Sequence, residues 1–261
     1  MIVRERENEF VLIKQHDHAQ ISGEIVKNWR NDLWKDATCR CKSVEYAIYN
    51  HDLGWKPVDE QPFWNDQKQK PYSFIDFPTP LKTVFYKHGI DEVMKHDSYA
   101  GLLCSRHYMN FLLQETSREA RAFVDQETER QQQIAASLSD IDKAVFDSHY
   151  ALLQLCDSLS LYLCLNEPGV LMKDGHPFFR DGVPIPSALE EFHDTKMELT
   201  WKDQRTIAIH EFPLENPLPI TLKQKIVTKE DISTKGFIPS YEAAPLQKID
   251  LLLVEDETDK R

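Results

Sequence analysis

Residues 152–165 read LLQLCDSLSLYLCL. Apolar side chains recur here at helical spacing. The stretch closes the strongest predicted helix of the chain, 140–165, with Phe146, Leu153 and Leu161 on its buried side. Asp157 stands four residues from Leu153 and four from Leu161, on that same face. An ionised carboxylate on a buried helical face is costly unless it is paired or bound to a metal. The bland reading is an arginine partner or hydrogen bonds to backbone N–H groups; the sharper one is a cation. The run is interrupted by Gln154, Asp157 and Ser158, and no apolar stretch reaches the length of a membrane span.

Working outward, residues 41–52 form another predicted helix. Val44, Ala47, Ile48 and His51 recur at steps of three and four, so His51 faces inward at the helix end, with Gly54 as terminator. On a last turn that is already loosening, His51 and Asp52 can both turn toward one ion. A neutral imidazole and a carboxylate suit zinc, iron or manganese. His-Asp dipeptides also occur at 16–17, 96–97 and 193–194, so the pair alone carries little. Asp17 and Gln20 read as a capping box that opens the first helix. His18 lies on its apolar stripe with Ile21, Ile25 and Trp29. In a predicted helix over 98–115, His107 shares a face with Leu103 and Phe111; the alternative is a hydrogen-bonded core histidine. Arg106 and Lys14 are cations suited to phosphate oxygens, or plain surface charges. His149 shares the Asp157 helix and is a candidate to orient a ligand. His88 reads as a helix-end dipole contact, and His16 diverges from His18. Trp55 and the aromatic loop Phe63–Phe77 offer walls for a pocket, or ordinary packing.

A histidine on an early helix, a His-Asp pair further on and a lone aspartate deep in a long helix resemble the HD-domain superfamily of metal-dependent phosphohydrolases over residues 10–165. The resemblance implies that His18, His51, Asp52 and Asp157 bind a divalent ion (Mn, Fe, Zn or Mg), with His107 as a further ligand. It implies hydrolysis of a phosphate ester on a small phosphorylated molecule or nucleotide. Asp52 would also orient the attacking water, and His107 and Arg106 would stabilise phosphate oxygens. Two alternatives stay open: a non-catalytic metal- or ligand-binding sensor, and a metal-free relative whose polar residues bond one another. The blocks LIKQHDHAQISG, HDLGW and YAGLLCSRHY resemble, over most of the chain, an uncharacterised bacterial family of unknown function, which supplies no activity.

Composition sets the frame. Of 261 residues, 41% are apolar and 28% charged, which is globular, and the net charge of −12 repels long nucleic acid on average. Five cysteines without a CxxC, and a first segment charged from Arg4, fit a cytoplasmic protein without a signal peptide or a membrane partner. The CxC of Cys39 and Cys41 lacks the second half of a zinc site. No P-loop, GxGxxG, GxSxG or HExxH is present. The expected fold is α+β and predominantly α: an HD-like helical bundle over 1–167, with short strands at 1–4 and 9–13. A small antiparallel β region over 168–261 packs on it, and the N-terminal hairpin is free to join that region. A homo-oligomer is left open.

Overall fold

The computed structural model describes residues 1–34, 40–138 and 141–256. Cys39 and the charged tail beyond Asp256 lie outside them. The chain opens with the hairpin β1 (Ile2–Glu5) and β2 (Glu9–Ile13), followed by α1 (Gln15–Lys27) and α2 (Cys41–Asn50). A short 3-10 turn, Leu53–Trp55, leads into α3 (Lys56–Glu60) and a small hairpin of β3 (Trp64–Asn65) and β4 (Lys70–Pro71). Four helices follow: α4 (Thr79–Met94), α5 (Ser98–Leu112), α6 (Arg118–Ser137) and α7 (Lys143–Leu165). Beyond them come a two-stranded pair, β5 (Val183–Pro184) and β6 (Lys196–Met197), then β7 (Leu199–Trp201), β8 (Thr206–Ile209) and β9 (Leu218–Thr228). The described chain closes with α8 (Lys229–Lys235), α9 (Phe237–Ala243) and β10 (Leu246–Glu255).

The expectation of an HD-like helical bundle with a small C-terminal antiparallel region is overturned. About half the structure is helical, and it carries a large mixed sheet of six strands in the order β1-β2-β9-β10-β8-β7. β10 runs parallel to β8, with Leu253 opposite Ile207; the other pairs are antiparallel. Strands from both sides of residue 168 share this sheet, because β2 pairs with β9, Phe10 opposite Val227.

The physical reason lies in β2. Its sequence, EFVLI, is an apolar run rather than an alternation, and Phe10 to Ile13 are all buried. Such a strand must be covered on both faces. Ile13 joins the main core with Ile25, Ile48, Leu103, Leu155 and Leu222. Phe10 and Leu12 join a second cluster with Val227, Phe237 and Tyr241, roofed by α9. The alternation of β9, with Leu218, Ile220 and Leu222 buried and Pro219, Thr221 and Lys223 exposed, presents one row to the main core.

Helix α1 is the bridge between layers: it packs on α2 and α7 and also on β9. It begins at Gln15, earlier than the capping box predicts. Asp17 does not cap it; instead Asp59 of α3 accepts from the His16 backbone N–H at 2.9 Å. Helix α4 runs straight through Gly89, so His88 is not the helix-end residue that the sequence suggests. Gly89 is a point of close approach. A Cβ there would sit 2.8 Å from the Gly54 nitrogen, and one at Gly54 would sit 2.1 Å from the Phe85 carbonyl oxygen. Gly54 therefore serves less as a terminator than as the place where the turn after His51-Asp52 presses against α4. No described helix is long and apolar enough to cross a membrane.

Candidate metal centre

Four elements converge behind this contact. α1 supplies His18, the end of α2 supplies His51 and Asp52, α5 supplies His107 and α7 supplies Asp157. All five residues are buried, Asp157 the least at 7% exposure. His18 Nε2 lies 2.9 Å from Asp52 Oδ2 and 3.6 Å from Asp157 Oδ1. His51 Nε2 lies 3.4 Å from Asp157 Oδ1 and 3.8 Å from Asp52 Oδ2. His107 Nε2 lies 3.9 Å from Asp157 Oδ2. Ligand atoms of His18, His51 and Asp157 lie within 4.8 Å of one another, and so do those of His51, Asp52 and His107. Buried His and Asp groups are thus close enough together to hold a metal ion.

The hydrogen bonds behind the rings decide which way the imidazoles face. His51 Nδ1 donates to the Ile48 carbonyl at 2.7 Å, the open carbonyl of the last turn of α2. The neutral ring therefore presents a bare Nε2, which has no hydrogen-bond partner although it is fully buried. That lone pair is aimed at two carboxylates, an arrangement that is repulsive without a positive charge between them. In His18, Nδ1 lies 2.6 Å from Ser160 Oγ, whose hydrogen is donated to the Asp157 carbonyl. His18 Nε2 lies 2.9 Å from Asp52 Oδ2, and because a carboxylate only accepts, Nε2 donates in that bond. The Ile48 carbonyl thus holds His51 in the tautomer a metal ligand needs, while a cation at the centre would take the place of the His18 hydrogen on Asp52.

Charge in the cluster tells the same story. Burial pulls the His51 imidazole down, but the Asp52 and Asp157 carboxylates outweigh it and raise its pKa to about 9. Burial pushes Asp52 up, yet the surrounding imidazoles, His51 first, carry it down to about 2. Asp157 is likewise held below the ordinary carboxylate range against its own burial, chiefly by His51. Burial lowers His107 to about 4. The site thus favours positive charge at its centre, where a proton on His51 or a cation serves equally. Among the described residues no Lys or Arg forms an ion pair with Asp52 or Asp157; only histidines do.

A cleft of about 540 Å³ opens onto the cluster. Asp52, His107 and Asp157 reach it, with Gln15, Trp55, Phe74, Tyr86, Phe111 and Lys82 among the other walls. Of the aromatic segment expected to line a pocket, Phe74 does so, whereas Phe77 packs edge-on against Trp55 in the core. Arg106 is not brought to the site. Neighbours on a helix diverge by about 100°, so with His107 inward Arg106 is exposed, over the Tyr150 ring at 5.7 Å. Lys14 is not part of the cleft wall. His88 is exposed beside Glu92, and His16 approaches Gln20. His149 bonds the Tyr99 hydroxyl at 2.8 Å, well along α7 from Asp157.

Two cleft residues escaped the sequence reading. Gln15, buried one turn before His18, has an unpartnered side-chain carbonyl oxygen. Lys82 lies on the buried stripe of α4 with Tyr86, Ile90 and Val93. That spacing, the same signal that exposes Asp157, was available once α4 is started at Thr79. No curated protein and no solved structure matches the chain. A family profile does match residues 1–229, and the chain therefore belongs to the family described as Protein of unknown function (DUF3891).

Proposed function

We propose that this protein is a divalent-metal-dependent hydrolase of phosphate esters on small molecules. The observation that carries the reading is the buried, unpartnered Nε2 of His51, fixed by the Ile48 carbonyl and aimed between two carboxylates. One Nε2 can serve only one ion, so the two overlapping ligand groups that share His51 describe a single centre. Three imidazoles and two carboxylates suit manganese, iron or zinc; magnesium prefers an all-oxygen shell. The spacing of His18, His51-Asp52 and Asp157 resembles the ligand pattern of HD-type phosphohydrolases, which supports the same choice of chemistry.

A divalent ion held there would acidify water and polarise a phosphoryl oxygen. The protein's own residues supply the rest. The carboxylates of Asp52 and Asp157 face the cleft and orient the incoming water, which Gln15 is placed to receive through its free carbonyl oxygen. His107 closes the centre on the α5 side. The aromatic walls exclude bulk water and so strengthen every electrostatic contact in the cleft.

The test is elemental analysis of protein purified without added metal, then a phosphatase and phosphodiesterase screen with manganese. Bound transition metal, with hydrolysis that a chelator abolishes, is the expected result. Bound metal with no turnover over a broad panel would leave a metal-binding sensor in place of an enzyme. Protein that binds no metal at any loading sinks both readings.

A further inference from the structure

Lys82 is an ammonium group with 9% exposure, in the wall of the same cleft that opens on the histidine–aspartate cluster. Burial lowers its pKa. Its Nζ donates to the Ile75 carbonyl at 3.2 Å, the one hydrogen bond it makes among the described residues, out of three available N–H groups. No described carboxylate comes within ion-pair distance. Two carboxylates act on it from further off: Glu115 spends an oxygen on the Thr79 hydroxyl at 2.8 Å, and Asp76 is held by Lys68 and the Ser73 backbone. A buried ammonium so thinly partnered is expensive, and a methionine would fill the same space without that cost. Around it the cleft walls are mostly aromatic and apolar, with Gln15, Glu115 and Ser158 as the polar members outside the cluster. Trp55 and Tyr86 lie deep, and Phe111 and Phe178, 49% and 51% exposed, stand at the mouth. Exposed aromatic side chains gathered around one opening mark a surface built for contact.

We propose that Lys82 selects the substrate. Its ammonium receives a carboxylate or carbonyl oxygen on a flat, apolar body whose phosphate is seated at the histidine–aspartate cluster. The cleft thus takes aryl or heteroaryl phosphate esters that carry a second acceptor group. This rests on the phosphohydrolase reading, and the experiment below separates the two.

Two non-hydrolysable probes, benzylphosphonate and para-carboxybenzylphosphonate, are titrated by calorimetry into the manganese-loaded protein. The carboxy compound binds about tenfold more tightly, as one charge-assisted hydrogen bond allows. Lys82→Met removes that advantage and leaves benzylphosphonate affinity within about twofold, which also reports that the variant is folded. Equal affinity of the two probes for the unmutated protein, or an advantage that survives in Lys82→Met, overturns the role of Lys82 and leaves the hydrolase reading standing. No metal-dependent binding of either probe overturns the hydrolase reading and this one with it. Should Lys82→Met lose both probes, Lys82→Gln is measured in its place; loss of both there too makes Lys82 a structural residue and overturns the proposal.

Discussion

Helix α5 touches two buried carboxylate clusters, and they are built on opposite principles. On one side Glu127 of α6, 1% exposed, accepts from the Ser105 hydroxyl at 2.7 Å and pairs with Arg130 Nε at 3.1 Å. Gln131 completes it by donating to Ser105 Oγ at 2.9 Å. Its partners are a cation and hydrogen-bond donors of the protein itself, although burial still raises the Glu127 pKa. On the other side, two residues along the helix, His107 faces Asp52 and Asp157, where two carboxylates meet three imidazoles with no Lys or Arg among their described ion pairs. There His51 Nε2 has no hydrogen-bond partner, and the cluster opens on a cleft. Buried polarity alone marks neither function nor its absence. What separates the two sites is that one leaves a buried ring nitrogen without a hydrogen bond and has a route in from solvent.

The comparison breaks most sharply at Asp157. Asp157→Asn is expected to weaken manganese or zinc binding by at least about a hundredfold, more than is usual for a supporting residue. Competition with a chelating dye measures it, and retention of metal within a few-fold would remove Asp157 from the centre. The matched change on the other side is Glu127→Leu. It costs about 2 kcal/mol of stability, below the usual figure for a broken buried ion pair because Arg130 still reaches water. Metal affinity stays as it was. Denaturant melts and the same dye assay read both quantities, and a loss of metal in Glu127→Leu would erase the distinction drawn here. The finest probe is Ser160→Ala, which frees the His18 ring from its hydroxyl support. Affinity should fall about tenfold with the fold retained. Unchanged affinity would mean that Ser160 has no part in orienting the imidazole.

Much of the histidine–aspartate cluster was legible before the structure because its members break a local rule. Asp157 and His18 are polar residues on faces that their apolar neighbours declare buried, and helical period alone reveals that conflict. Lys82 obeys the same logic, but the proline-rich aromatic stretch before it obscures where α4 begins. The stripe Lys82–Tyr86–Ile90–Val93 also runs on past His88, which the sequence places at a helix end. Arg106 was attractive only for being next to His107, and adjacency on a helix separates side chains. The sheet was misjudged for a different reason. The strands at 1–4 and 9–13 are individually visible, but turns advertise only local pairings. The pairings of β2 with β9 and of β8 with β10 close across long stretches of intervening chain.

By itself, then, the sequence determined which surfaces of each helix and strand must be hidden from water, and which hidden positions carry a charge or an imidazole. Only the tertiary structure decided that five such positions from four elements share one centre. It also decided that the Ile48 carbonyl and the Ser160 hydroxyl turn the rings toward the carboxylates, and that Lys82 and the aromatic walls open on the same cleft. Periodicity is a property of neighbours along the chain and is written in a dozen residues. Convergence depends on how α1, α2, α5 and α7 pack, and on a backbone crossing as tight as Gly54 against Gly89, which no single segment encodes.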